Sequence, residues 1–285
     1  MEDKILDGKL VASKIKDDLK LEVDALKEKG IIPRLAVIMV GDNPASKVYV
    51  KNKSKACEYV GAEFEEFLLE ESITEKELLE LIDKLNDDKS INGILLQSPI
   101  PKHLNQNEAF QRIKPEKDVD GFHPINVGNL SIGNDCFVSC TPFGVMKILE
   151  YYNIELEGKN AVVLGRSNIV GKPMVQCLLS KNATVTVCHS RTQNIKDIAK
   201  NADILVAAIG KPKFVTADFI KEGAVVIDVG INRQEGSNKI CGDVDFENCL
   251  LKVSKITPVP GGVGPMTIAM LLYNLVKATK QQNGL

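Results

Sequence analysis

Leu10, Val11, Ile15, Leu19, Val23 and Leu26 recur at the three-and-four spacing of one helix face and stop at Gly30, which predicts an amphipathic helix over residues 9–29. The unbroken apolar run RLAVIMVG then predicts a buried strand. Capping residues and a proline in DNPAS open a second helix, which carries SKVYVKNKSKACEYVG. AEFEEFLL reads as a strand, TEKELLELIDKLN as a helix with a Thr-x-x-Glu start, and INGILLQ as a third strand that ends at the tight turn SPIP. Residues 114–140, rich in Gly, Asn and Pro, show no periodicity and read as a long loop. TPFGVMKILEYY restarts a helix, with Thr141 as its expected cap. Four short apolar strands follow in NAVVLG, ATVTVCH, ADILVAAIG and GAVVIDVG, and the glycine-rich ITPVPGGVGP feeds a last helix from near Pro265.

Strands that alternate with helices call for parallel sheets with crossover connections, hence an α/β protein. At 285 residues and 44% hydrophobic, the chain suits two domains. The expected division is 1–142 plus 265–285 as one α/β domain with a parallel sheet, and 143–264 as a Rossmann-like domain, with a cleft between them. A net charge of −2 gives no reason to expect nucleic acid or a membrane surface as partner. No apolar stretch has the roughly 18 residues that span a bilayer, and MEDKILDGKL lacks the regions of a signal peptide, so a cytoplasmic protein is expected. Seven cysteines without a Cys-x-x-Cys read as reduced, mostly buried thiols, and three scattered histidines make a built-in metal site unexpected.

One lysine interrupts this picture. On a helix turning about 100° per residue, Lys47, Lys51 and Lys55 share one side, whereas Lys53 points nearly opposite, with Tyr49, Ala56, Cys57 and Val60. Tyr49 and Lys53, four apart, stack on that face. Taken alone, the pair suits a half-buried aromatic and a snorkelling side chain as well as a reactive site. Gln97 ends a strand where ligands of parallel sheets gather, and Asp120 in KDVDGFHPIN suits either a ligand contact or a turn before Gly121.

The second domain offers a nucleotide turn. GRSNIVGKP follows a strand, with Gly165 at the turn and Gly171 and Pro173 at the next helix entrance, where backbone N–H groups can approach a pyrophosphate. Its spacing is not Gly-x-Gly-x-x-Gly, and a plain tight turn fits it too. At the end of the next strand an NAD site usually has an acidic residue, but VCHSRT supplies Ser190 and Arg191, with Arg166 in the neighbouring turn. Donors and positive charge suit a 2′-phosphate, so NADP is the expected cofactor. Ile231, in DVGIN, is the candidate to flank the nicotinamide.

ASKVYVKNKSKA, GILLQSPIP, KDVDGFHPIN, CTPFGVMKIL, GRSNIVGKP, CHSRT and TPVPGGVGPMT, in this order, make the chain similar over nearly its whole length to the bifunctional methylenetetrahydrofolate dehydrogenase/methenyltetrahydrofolate cyclohydrolase family. The resemblance implies a homodimer acting on tetrahydrofolate one-carbon derivatives with NADP. It makes Lys53 the central catalytic residue, with Tyr49 beside it, Gln97 contacting the lysine and Asp120 anchoring the pterin. It implies substrate contacts at Pro260, Gly261, Gly262 and Val263, and NADP contacts at Gly165, Arg166, Ser167, Ser190 and Ile231. Ser139 departs from the proline that often precedes Cys-Thr-Pro in the family, and Arg191 stands on variable ground.

Overall fold

The amphipathic stripe at the start of the chain forms α1 (Gly8–Lys27), and the apolar run after it forms β1 (Arg34–Val40), buried along all but its first residue. The structure is a computed structural model that describes residues 2–233 and 239–285. α2 (Pro44–Val60) begins where Asn43 Oδ1 accepts the N–H groups of Ala45 and Ser46, and ends at Gly61 in the left-handed conformation. β2 (Glu63–Leu69) leads to α3 (Glu75–Asp87), where Thr74 and Glu77 form the expected capping box, and then to β3 (Gly93–Leu96). The three strands make a parallel sheet in the order β2-β1-β3. One of its faces, from Ala36, Ile38, Val40, Ile94 and Leu96, packs on Leu78, Ile82 and Leu85 of α3 and on Ala109 and Phe110 of α4 (Gln106–Arg112).

The stretch 114–140 is more ordered than its composition suggests. It holds a turn of 3₁₀ helix at Pro115–Lys117 and α5 (Pro124–Ile132). α5 is stabilised by local chemistry rather than by an apolar stripe. His123 accepts the Ile125 N–H, Pro124 fixes the first turn, and Gly133 closes the end in the left-handed conformation. The helix α6 (Cys140–Tyr151) starts one residue before the expected cap, and Thr141 does not cap it. Its N-cap position belongs to Ser139, whose hydroxyl donates to Ile169 O at 2.6 Å instead of capping the helix.

β4 (Asn160–Leu164), α7 (Gly171–Leu179), β5 (Thr184–Cys188), α8 (Ile195–Ala199) and β6 (Ile204–Ala207) follow the alternation read from the sequence, whereas β7 (Val225–Asp228) is reached through a turn of 3₁₀ helix at Ala217–Phe219 instead of an α-helix. A small antiparallel pair, β8 (Asn232–Arg233) and β9 (Ile240–Cys241), and α9 (Phe246–Leu250) precede a fifth parallel strand, β10 (Lys255–Ile256), too short to register in the sequence. The sheet order is β10-β7-β6-β4-β5. In chain order this is a 2-1-3-4-5 arrangement, whose direction reverses between β4 and β6. α10 (Val263–Gln282) ends the chain's regular structure.

Contacts divide the chain into two compact units, residues 14–138 with 268–285 and residues 1–13 with 139–267. The sequence places the breaks at 142/143 and 264/265 and groups residues 1–13 with the following helix. In the structure Leu6 and Lys9 of that segment pair by backbone with the other unit: Leu6 N donates to Ile256 O at 2.8 Å and Lys9 N to Gly261 O at 3.0 Å. Gly8 also lies so close to Gly262 that a Cβ would overlap its carbonyl.

Candidate active site

In the first unit, α2 exposes Lys47, Lys51 and Lys55, and Lys47 pairs with Asp42. Lys53 is half-buried, on the side that also carries the buried Ala56, Cys57 and Val60. Its Nζ donates to Gln97 Oε1 at 2.9 Å. Two further bonds hold Gln97 in place. Its N–H donates to Ile38 O at 2.8 Å, continuing the sheet, and its Nε2 donates to Ser98 O at 2.6 Å. With the amide nitrogen engaged there, the oxygen is the atom left to face the lysine. One turn further along the helix, burial pushes the Cys57 thiol up to about 12, with the charge of Lys53 opposing. Burial thus disfavours the thiolate form of Cys57, which is fully buried.

Tyr49, 44% exposed, stands one turn before Lys53 with its ring open to a ligand. Ser46 is a residue that the sequence reading misses. It lies at the i, i+3, i+7 spacing from Tyr49 and Lys53, a signal the sequence contains, and its buried Oγ is the one such side-chain oxygen or nitrogen without a hydrogen-bond partner among the described residues. Asp120 is half-buried in a turn whose geometry is set by its neighbour Asp118. The buried Asp118 carboxylate accepts the N–H groups of Gly121, Phe122 and His123 at 3.1, 3.2 and 2.7 Å, and Asn126 Nδ2 at 2.9 Å. Burial raises its pKa, and these donors oppose the rise. Lys117 anchors the turn's other end, its Nζ donating to Leu85 O and Asp88 O at the end of α3.

In the second unit, Gly165 sits at the reversal point of the sheet with φ +123°, and a Cβ there would overlap the Ala208 carbonyl oxygen. Gly171, the first residue of α7, lies as tightly against Gly165. Ser167 Oγ accepts the N–H groups of Val170 and Gly171 at 3.2 and 3.3 Å, shaping the turn that enters α7. Ser139 braces the same turn through Ile169. Arg166, Ser167, Ser190 and Arg191 lie at the carboxyl ends of β4 and β5, which pair in register with Leu164 opposite Cys188, and all four are exposed. The bare backbone at Gly165, the helix start behind it and the two arginines with no carboxylate in the VCHSRT segment fit a dinucleotide with a 2′-phosphate. Ile231 is 49% exposed after β7, with its Cδ1 near Gly264. Pro260 is exposed, Gly261 half-buried with φ +104°, and Gly262 and Val263 are buried where the loop becomes α10. The structure thus joins Lys53 to Gln97 in one unit and gathers the cofactor candidates in the other.

A parallel unit with a bare-backbone turn at its reversal point, in one chain with a unit that keeps a lysine and an amide together half out of water, defines a dinucleotide-dependent enzyme. Residues 6–120 match the model of the tetrahydrofolate dehydrogenase/cyclohydrolase catalytic domain, and residues 139–283 match that of its NAD(P)-binding domain. The chain is 58% identical over 277 residues to the bifunctional protein FolD of Agathobacter rectalis, covering 97% of this chain and 99% of that one. A crystal structure of the bifunctional FolD enzyme from Campylobacter jejuni superposes with a TM-score of 0.96 at 54% identity, over 99% of both chains. The FolD of Trypanosoma brucei, complexed with NADP cofactor and inhibitor, gives 0.94 at 38% identity, over 99% of this chain and 98% of that one. The chain belongs to the tetrahydrofolate dehydrogenase/cyclohydrolase family.

Six of the seven cysteines are buried, and Cys136 is half-buried. No helix among the described residues is long and apolar enough to cross a membrane.

Proposed function

We propose that this chain catalyses two successive reactions on one folate, oxidation of 5,10-methylenetetrahydrofolate to the 5,10-methenyl cation with NADP⁺ and hydrolysis of that cation to 10-formyltetrahydrofolate. The observation that carries the reading is the 2.9 Å pairing of Lys53 Nζ with Gln97 Oε1, in a chain of this family. Bound NADP⁺ supplies the acceptor for hydride from the one-carbon bridge. The chain's own work in that step is positioning. Asp120 accepts two parallel N–H bonds from the pterin's amino-oxo edge, and the Tyr49 ring stacks on the folate's flat rings. Pro260, Gly261, Gly262 and Val263 lie along the substrate. Gly165, Ser167 and Ile231 contact the dinucleotide, and Arg166, Ser190 and Arg191 face its 2′-phosphate.

Hydrolysis requires proton transfer. Water adds to the methenyl carbon while the neutral amine of Lys53 takes a proton from it, and Gln97 Oε1 keeps that amine oriented. As the C–N5 bond opens, N5 takes up a proton, and one proton is released to solvent overall. A neutral lysine also avoids repelling the cation. We propose further that the chain acts as a homodimer in the cytoplasm; its net charge of −2 gives no reason to expect a nucleic-acid or membrane partner. Light scattering that returned the mass of a single chain would remove the dimer.

Protein mixed with 5,10-methylenetetrahydrofolate and NADP⁺ should form NADPH and then consume the methenyl chromophore faster than the uncatalysed rate. Persistence of the chromophore would reduce the reading to a dehydrogenase alone, and absence of NADPH would remove it. Arg166→Ala is expected to lower the ratio of NADP⁺ to NAD⁺ affinity by at least about tenfold, the value of one lost charge-assisted pair. An unchanged ratio would take Arg166 out of the phosphate site.

A further inference from the structure

Two loops leave the carboxyl ends of β6 and β7, residues 208–211 and 229–232. A single buried side chain holds both. Asp243 Oδ2 accepts the N–H groups of Ile209 and Gly210 at 2.7 and 3.0 Å, and Oδ1 accepts Lys211 N–H and Asn232 Nδ2, each at 2.9 Å. Asp243 is itself tied to a second buried carboxylate. Its N–H donates to Asp228 Oδ1 at 2.9 Å, which also takes the Gly230 N–H at 2.9 Å, while Val244 N–H reaches Asp228 Oδ2 at 2.9 Å. Gly230 and Gly242 approach so closely that a Cβ would overlap Asp243 or Asp228 respectively.

Two adjoining carboxylates taken out of water are a costly way to make a turn. Asp228 shows the cost: burial foremost, and the charge of Asp243 in part, push it up to about 6 against the backbone donors. What the arrangement achieves is a fixed spacing between two loops, with Ile231 held from both sides by the anchored Gly230 and Asn232 while its side chain stays half exposed.

We propose that Asp243 is a positioning residue for NADP binding, its carboxylate setting the 208–211 loop against the 229–232 loop so that Ile231 is presented to the nicotinamide end of the cofactor. This rests on the NADP reading of the second unit. Asp243 touches neither substrate nor cofactor in this role. Replacement by asparagine keeps the volume but turns an N–H₂ toward donors that two carboxylate oxygens satisfied, so one loop loses its anchor.

The test is calorimetric titration of NADP⁺ into purified wild-type protein and Asp243→Asn, with methenyl hydrolysis assayed in the absence of NADP⁺. The variant is expected to bind NADP⁺ at least about tenfold more weakly, the size of a buried donor losing its acceptor, and to hydrolyse the methenyl compound within about twofold of wild type. Equal NADP⁺ affinity, or a parallel loss of binding and hydrolysis such as a merely structural role gives, would overturn the proposal. If Asp243→Asn does not fold, Asn232→Ala removes only the direct side-chain bond from the 229–232 segment to Asp243. It should weaken NADP⁺ binding several-fold, and unchanged affinity would overturn the proposal equally. Wild-type protein that failed to bind NADP⁺ would remove the underlying reading itself, whereas wild-type binding with an unaffected variant removes only the positioning role.

Discussion

Lys53→Met is expected to lower methenyl hydrolysis by about a thousandfold, within the range a positioned acid–base group contributes, while NADP⁺-dependent oxidation falls far less. The two reactions separate because only one moves a proton. Hydride transfer depends on how the folate is held, which rests on Asp120, Tyr49 and the 260–263 loop. Hydrolysis needs a base within reach of water, and the amine paired with Gln97 Oε1 is the group proposed for it. Methionine is the suitable replacement since its chain fills the half-buried volume of the lysine stem without a charge or a donor. The measurement is the ratio of the two activities in one preparation, with a circular-dichroism melt to establish folding. The protein has no tryptophan, so intrinsic fluorescence is a poor monitor. A Lys53→Met variant that hydrolyses at the wild-type rate would end the lysine's candidacy.

That residue was legible in the sequence because a helix converts position into direction. Lys47, Lys51 and Lys55 are exposed and Lys53 is not, as a 100° step requires. α1, β1, α3 and the strands β4, β6 and β7 of the second unit were legible for the same reason, since each buries a face or a run that the sequence writes as a period. α5 was not, because its stability comes from a histidine cap, a proline and a closing glycine, and its side chains alternate without a stripe. Asp118 and Asp243 were hidden for a deeper reason. Nothing in an aspartate's neighbours shows that it will be buried, and the donors that make burial tolerable to Asp243 come from residues about thirty positions away, brought near only by the sheet. The second layer of the site, which holds the first in place, is a property of the tertiary fold.

Gly165→Ala is expected to weaken NADP⁺ binding by at least about 100-fold, or about 2.8 kcal/mol, and to destabilise the protein by about 2–3 kcal/mol. The backbone at this glycine lies at φ +123°, outside the range alanine adopts without strain. The added methyl group would also overlap the Ala208 carbonyl oxygen, a backbone atom that no rotamer change can move. Relief by shifting the backbone is closed on both sides: Gly165 N–H donates to Cys188 O at 2.8 Å on β5's end, and Ala208 N–H donates to Leu164 O at 2.8 Å on β4. The turn can accept the methyl group only by opening the sheet at its reversal point, where the pyrophosphate is proposed to lie. Calorimetric NADP⁺ titration and the thermal midpoint are the two readouts, and hydrolysis without NADP⁺ should persist below that midpoint, since Lys53 and Gln97 belong to the other unit. Wild-type NADP⁺ affinity in Gly165→Ala would mean that the cofactor's phosphates do not meet this turn, and the search for them would move to the other strand ends of the same sheet.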